Sequence, residues 1–164
     1  MDSSVIDIGG GASLLVDALL ADRRTDLTVL DVSEVALQHT QARLGARAAD
    51  VAWSVADMTA WRPPRTWDVW HDRAVFHFLV GHSEQDAYLG SLHAGTKTGA
   101  TAIVFTFALD GPERCSSLPV QRYSPATLAA RVGPGFVLEG EGRVLHRTPT
   151  ASEQRFSYAV LRRR

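Results

Sequence analysis

Val5-Ile6-Asp7-Ile8-Gly9-Gly10-Gly11-Ala12-Ser13-Leu14 sets a short apolar strand, three consecutive glycines and the start of an apolar helix side by side. With three Cβ atoms missing, the backbone bends sharply and a ligand can approach it closely. A strand that turns through glycines into a helix is how α/β proteins present backbone N–H groups to a nucleotide-like ligand. Asp7 adds a carboxylate at the strand's carboxyl end. The same stretch also reads as a tight turn that holds nothing, and the remainder of the chain weighs between the two.

Spacing separates the ligand classes. The dinucleotide fingerprint G-x-G-x-x-G needs a glycine three residues after Gly11, where this chain has Leu14. A P-loop needs Gly-Lys-Ser/Thr, and the sole lysine is Lys97. What remains, D-x-G-G-G-x-S followed by an apolar helix, resembles the first motif of the class I S-adenosylmethionine-dependent methyltransferases. The resemblance implies that Asp7 and the backbone of Gly9, Gly10 and Gly11 hold the amino-acid end of that cofactor.

Downstream, Leu14 to Leu20 is apolar on nearly all sides and reads as a helix packed on a sheet. Leu27-Thr28-Val29-Leu30 follows as a second strand with Asp31, and Val32 beside it, at its end. An acid about 20 residues beyond the glycines is where nucleotide-binding α/β folds accept a ribose diol, since a carboxylate takes both hydroxyl protons. The alternative for Asp31 is an acid at the start of the next helix, which runs from Ser33 to Leu44. Val51 to Val55 is a third strand, and Asp57-Met58 after it matches the family's adenine contact: an acid for the amino group, then a residue that packs on the ring. A turn aspartate is the other reading of Asp57.

Arg62-Pro63-Pro64-Arg65 is a turn. Trp67 to Trp70 is the fourth strand, and after it come His71, Asp72, Arg73 and His77, four ionisable side chains in an otherwise apolar run. Burying them without a role is costly, which makes them the candidates for the acceptor side of a catalytic site. An Asp-Arg pair with a satisfied core histidine is the structural alternative. No Asp/Asn-Pro-Pro-Tyr/Phe motif for gripping a nucleic-acid base is present.

Ser83-Glu84-Gln85-Asp86 resembles a capping box for a helix that ends near Gly95; Thr96 to Gly99 reads as a turn, and Ala100 to Phe107 as a fifth, buried strand. Ala108 to Tyr123 is a long connection without elements of its own, placed to fold over the acceptor site as a lid. It holds the one cysteine, Cys115, and no Cys/His spacing in the chain suits a metal. Ser124-Pro125 starts a last helix. Phe136 to His146 and Gln154 to Leu161 then read as two strands joined through Arg147 to Glu153.

Composition is that of an ordinary globular chain: 164 residues, 45% hydrophobic, 21% charged, formal net charge −1. This excludes an overall electrostatic footprint for nucleic acid, and Arg162-Arg163-Arg164 reads as a solvated tail. One cysteine leaves a reducing, cytoplasmic setting unchallenged. No apolar run approaches the roughly 20 residues of a membrane span, and Met1-Asp2-Ser3-Ser4 has no basic signal-peptide region.

The expected architecture is therefore one α/β domain over residues 1–164, a doubly wound, mostly parallel sheet closed by a C-terminal antiparallel hairpin. The first strand begins so early that the helical segment methyltransferases of this class usually carry ahead of it is expected to be missing, through truncation, an alternative start, or a lid lent by a second subunit in a homodimer. The resemblance implies transfer of a methyl group from S-adenosylmethionine, leaving S-adenosylhomocysteine. Histidines near the methyl suit a small-molecule O, N or S nucleophile. A protein-lysine acceptor is the alternative, by similarity to the citrate synthase lysine methyltransferase group, and a cofactor-binding module without catalysis is a third reading.

Overall fold

The computed structural model describes residues 3–148 and 153–164. Val5–Ile8 (β1) is buried along its whole length, as a strand covered on both faces must be. Leu27–Asp31 (β2) and Trp67–Arg73 (β4) flank it in parallel, with Val51–Val55 (β3) outside β2 and Thr96–Phe107 (β5) outside β4. Arg114–Cys115 (β6) and Leu118–Pro119 (β7) make a separate two-residue ladder. Phe136–Arg147 (β8) and Glu153–Arg163 (β9) form the closing hairpin, and β9 inserts antiparallel beside β5. The sheet order is β3-β2-β1-β4-β5-β9-β8. This is the class I methyltransferase arrangement expected from the sequence.

Leu15–Ala21 (α1) and Glu34–Leu44 (α2) cover one face of the sheet, where Val5, Val16, Leu20, Leu27, Val29 and Leu37 pack together. His82–Ala94 (α3) and Pro125–Val132 (α4) cover the other, over Ile6, Ile8, Trp70, Tyr88, Leu92, Leu128 and Leu161. Each such side chain contributes roughly 1.5–3 kcal/mol when fully buried. The indoles that enter this core keep their N–H groups bonded: Trp67 Nε1 donates to Thr28 Oγ1 (3.0 Å) and Trp70 Nε1 to the Tyr88 hydroxyl (3.0 Å). Among the described residues no helix is long and apolar enough to cross a membrane.

The structure corrects four local readings. β4 runs to Arg73, so His71, Asp72 and Arg73 lie within the strand, not after it. Thr96 to Gly99 is the start of β5, and the shift of register between Trp67 and Val69 on β4 lies opposite these residues, where Gly99 has φ +81°. The cap of α3 is Gly81, whose N–H donates to Glu84 Oε2 at 3.1 Å, so the helix starts ahead of the Ser83 box. The long connection carries the β6–β7 ladder. Met1, Asp2 and residues 149–152 of the last connection lie outside the described residues.

Candidate active site

The glycine turn is shaped by what stands around each glycine. Gly9 has φ +71°, and a Cβ there would lie 2.2 Å from Val75 Cγ2. A Cβ on Gly10 would lie 2.4 Å from Asp7 Oδ2, and one on Gly11 2.7 Å from Asp31 Oδ2. The N–H groups of Gly9 and Gly10 both donate to the Leu30 carbonyl (2.7 and 3.2 Å), which ties the turn to the end of β2. The Thr40 hydroxyl donates to the Gly11 carbonyl from α2. Asp7 itself is buried: Oδ1 meets His71 Nδ1 at 2.7 Å, while Oδ2 has no partner. An unpaired carboxylate oxygen beneath a bare backbone is an uncommon and costly arrangement.

Beyond the turn lies a cavity of about 470 Å³ at the carboxyl ends of the strands. Gly9, Asp31, Val32, Asp57, Met58, Arg73, Val75, Phe78, Leu79 and Leu118 are among the residues that line it. The topology explains the convergence, since the ends of β1, β2, β3 and β4 meet at this edge, where open α/β sheets bind ligands. Asp31 accepts from the Gly11 N–H (2.9 Å) with Oδ2 and from the Ser33 N–H (2.8 Å) with Oδ1, so it braces the glycine turn and the start of α2 while facing the cavity. Asp57 Oδ1 accepts from the Thr59 N–H and hydroxyl, both at 2.8 Å, and these bonds hold its carboxyl below the usual range. The turn reading and the cavity-facing reading of Asp57 are thus both present in one residue.

The four ionisable candidates of the β4 region do not stand together. Successive strand residues point to opposite faces. His71, on the α1 side, pairs with Asp7 and lines a second depression with Val5, Leu15, Leu19, Val69 and Ile103. Asp72 points the other way and is wholly buried, accepting from the N–H groups of Val75 (2.8 Å) and Phe76 (3.1 Å) and from the Tyr88 hydroxyl (2.6 Å). Burial pushes its carboxyl up to about 6. The bonds from Asp72 hold the chain just past Ala74, a non-glycine residue at φ +72°. His77 is also wholly buried: its rings of contact are Phe78, Phe107 and Phe156, Nδ1 accepts from the Phe107 N–H (3.3 Å), Nε2 has no partner, and burial pushes its pKa down to about 4. Of the four, Arg73 alone lines the cavity.

Several wall residues carried no signal in the sequence. Ala74, Val75, Phe78 and Leu79 come from the bend after β4, which an apolar run does not announce. Leu118 sits on β7 and reaches the cavity although it is 57% exposed. The length of its connection was the available signal. Cys115, on β6, is absent from that wall.

A family model described as a methyltransferase domain matches residues 6–102. Curated proteins gave no match. Among solved structures, the chain is similar to the 1,6-didemethyltoxoflavin N1-methyltransferase of Burkholderia thailandensis with bound 1,6-didemethyltoxoflavin and S-adenosylhomocysteine, at 19% identity and TM-score 0.75, covering 98% of this chain and 71% of that one. It is similar to the N-methyltransferase NodS of Bradyrhizobium japonicum in complex with S-adenosylhomocysteine, at 14% identity and TM-score 0.73, covering 98% and 78%. A methyltransferase of Methanosarcina mazei superposes with TM-score 0.76 at 12% identity, covering 99% and 92%.

Proposed function

This chain belongs to the methyltransferase-domain family, and from that premise we propose that residues 1–164 act as one domain that transfers the methyl group of S-adenosylmethionine to a small-molecule O, N or S nucleophile. The observation that carries this reading is the single cavity in which Gly9, Asp31, Asp57, Met58 and Arg73 converge from four strand ends. The Burkholderia neighbour, a 1,6-didemethyltoxoflavin N1-methyltransferase, supports a small-molecule acceptor.

The residues fit that cofactor. The missing side chains of Gly9 to Gly11 let the turn lie directly against Val75, Asp7 and Asp31, and the unpartnered Asp7 Oδ2 beside Gly10 would accept from an ammonium group. Asp31, beside Val32, would accept the ribose hydroxyls with its remaining lone pairs. Asp57 would receive the adenine amino group and Met58 would pack on the ring. When bound, the cofactor supplies an electrophilic methyl group on its sulfonium.

The protein's own task is alignment. Val75, Phe78, Leu79 and Leu118 give the cavity an apolar wall against which an acceptor would lie, and Arg73 is the charged group that would face it. Asp72 serves as a positioning residue, fixing the bend that carries Val75 and Phe76. His71 orients through Asp7, and His77 fills the core.

Calorimetric titration tests the cofactor: saturable binding of S-adenosylmethionine is expected, with Asp31→Ala weakening it by at least about tenfold. Absence of binding overturns the reading. Incubation of cell extract with radiolabelled cofactor tests the acceptor. Label in a low-mass fraction supports a small molecule; label in a protein band supports a lysine side chain instead. A reducing, cytoplasmic setting fits the one cysteine.

A further inference from the structure

The acceptor end of the cavity holds an arginine that the protein leaves without a counter-charge. Arg43, Arg65, Arg122, Arg131 and Arg162 each lie within 3.1 Å of a carboxylate. Arg73 is one of several arginines with no such partner among the described residues; it is an exposed residue, and of these arginines it alone lines the cavity. Its guanidinium stands 5.9 Å from the Phe156 ring centroid and donates to His146 Nδ1 at 3.3 Å, two contacts that direct the group without neutralising it. It is also the sole cation among the cavity's lining residues, and neither of the two carboxylates there pairs with it: Asp31 accepts from the Gly11 and Ser33 N–H groups and Asp57 from Thr59. Around it the lining is apolar: Val75, Phe78, Leu79 and Leu118.

From this geometry we infer that Arg73 is the specificity residue of the acceptor site and that the acceptor is a flat, largely apolar molecule bearing a carboxylate. The inference rests on the cofactor reading above and deepens it. A planar guanidinium offers two parallel N–H groups to a planar oxyanion, a match that a neutral acceptor does not satisfy. A cationic acceptor such as a protonated lysine side chain would meet the like charge of Arg73.

Matched pairs of small aromatic acids and their amides, benzoate with benzamide, salicylate with salicylamide and phenylacetate with phenylacetamide, test this on protein saturated with S-adenosylhomocysteine. Binding is read by ligand-observed NMR titration. Wild type is expected to favour the acid of a pair by about tenfold, the acid-over-amide ratio to fall to near one in Arg73→Gln, and Arg73→Lys to keep only part of it. S-adenosylhomocysteine binding by Arg73→Gln, measured first by calorimetry, shows that the variant folds. An equal affinity of wild type for acid and amide across the set, or a preference retained in Arg73→Gln, overturns the inference. Failure of wild type to bind S-adenosylhomocysteine overturns the cofactor reading instead, so the two failures are distinct.

Discussion

Asp72→Asn probes the buried carboxylate that shapes the cavity's far wall. Asp72 is wholly buried, and desolvation raises its carboxyl from an ordinary 3.8 to about 6, against the lowering effect of its three hydrogen bonds. A raised acid pKa means that the folded state binds the proton more tightly than the unfolded chain does. The resulting stabilisation is fully present below the unfolded value and is lost as pH rises through the folded one. The full swing is about 3 kcal/mol, of which roughly half falls between about pH 5 and pH 7.5.

The wild-type stability curve alone does not reveal this swing, because His77 acts in the opposite direction. Its pKa is lowered from 6.5 to about 4 by burial, so its contribution is present above the unfolded value and lost as pH falls through the folded one. The informative quantity is the difference between wild type and Asp72→Asn, in which His77 and the surface carboxylates cancel. Asparagine does not titrate, so its stability relative to wild type is expected to improve by about 1–2 kcal/mol on going from about pH 5 to pH 7.5. Urea denaturation followed by tryptophan fluorescence measures it, with Trp70 stacked edge-on to Tyr88 beside the substituted group. A difference that stays flat across this range, or that moves in favour of wild type as pH rises, refutes the reasoning.

His77→Phe removes the opposing group and is expected to flatten the loss of stability between about pH 6.5 and pH 4 by about 3 kcal/mol, visible in the same urea titrations. Gly10→Ala places a methyl 2.4 Å from Asp7 Oδ2, and calorimetry is expected to show cofactor affinity reduced by at least about a hundredfold. Leu118→Ser alters an exposed wall residue: thermal unfolding is expected to stay within about 0.5 kcal/mol of wild type while acceptor KM rises, which steady-state kinetics on an identified acceptor checks.

The first 58 residues were legible because their signals are local. Glycines in a row, an acid at the end of β2 and an Asp-Met pair after β3 each declare a backbone turn or strand end, and the parallel order of the strands carries all of them to one edge. The closing antiparallel hairpin was likewise readable, from two strand-like runs after the last helix.

The β4 region was legible in composition but not in direction. Four ionisable residues in an apolar run announced that something unusual is buried there. Whether they meet depended on where the strand ends, and composition does not report that boundary. Because β4 continues to Arg73, alternation turns Asp72 to Tyr88 and puts His71 and Arg73 on the other face, where His71 meets Asp7 and Arg73, at the strand's end, lines the cavity, while the chain past Ala74 takes His77 into the aromatic core. The sequence by itself therefore determined the fold and the strand-end residues Gly9, Asp31, Asp57 and Met58 that line the cavity, through turn chemistry and periodicity acting within a few residues. Only the tertiary structure decided the fate of the β4 charges, because packing around β4 sets which of them are buried in the core and which one, Arg73, lines the cavity.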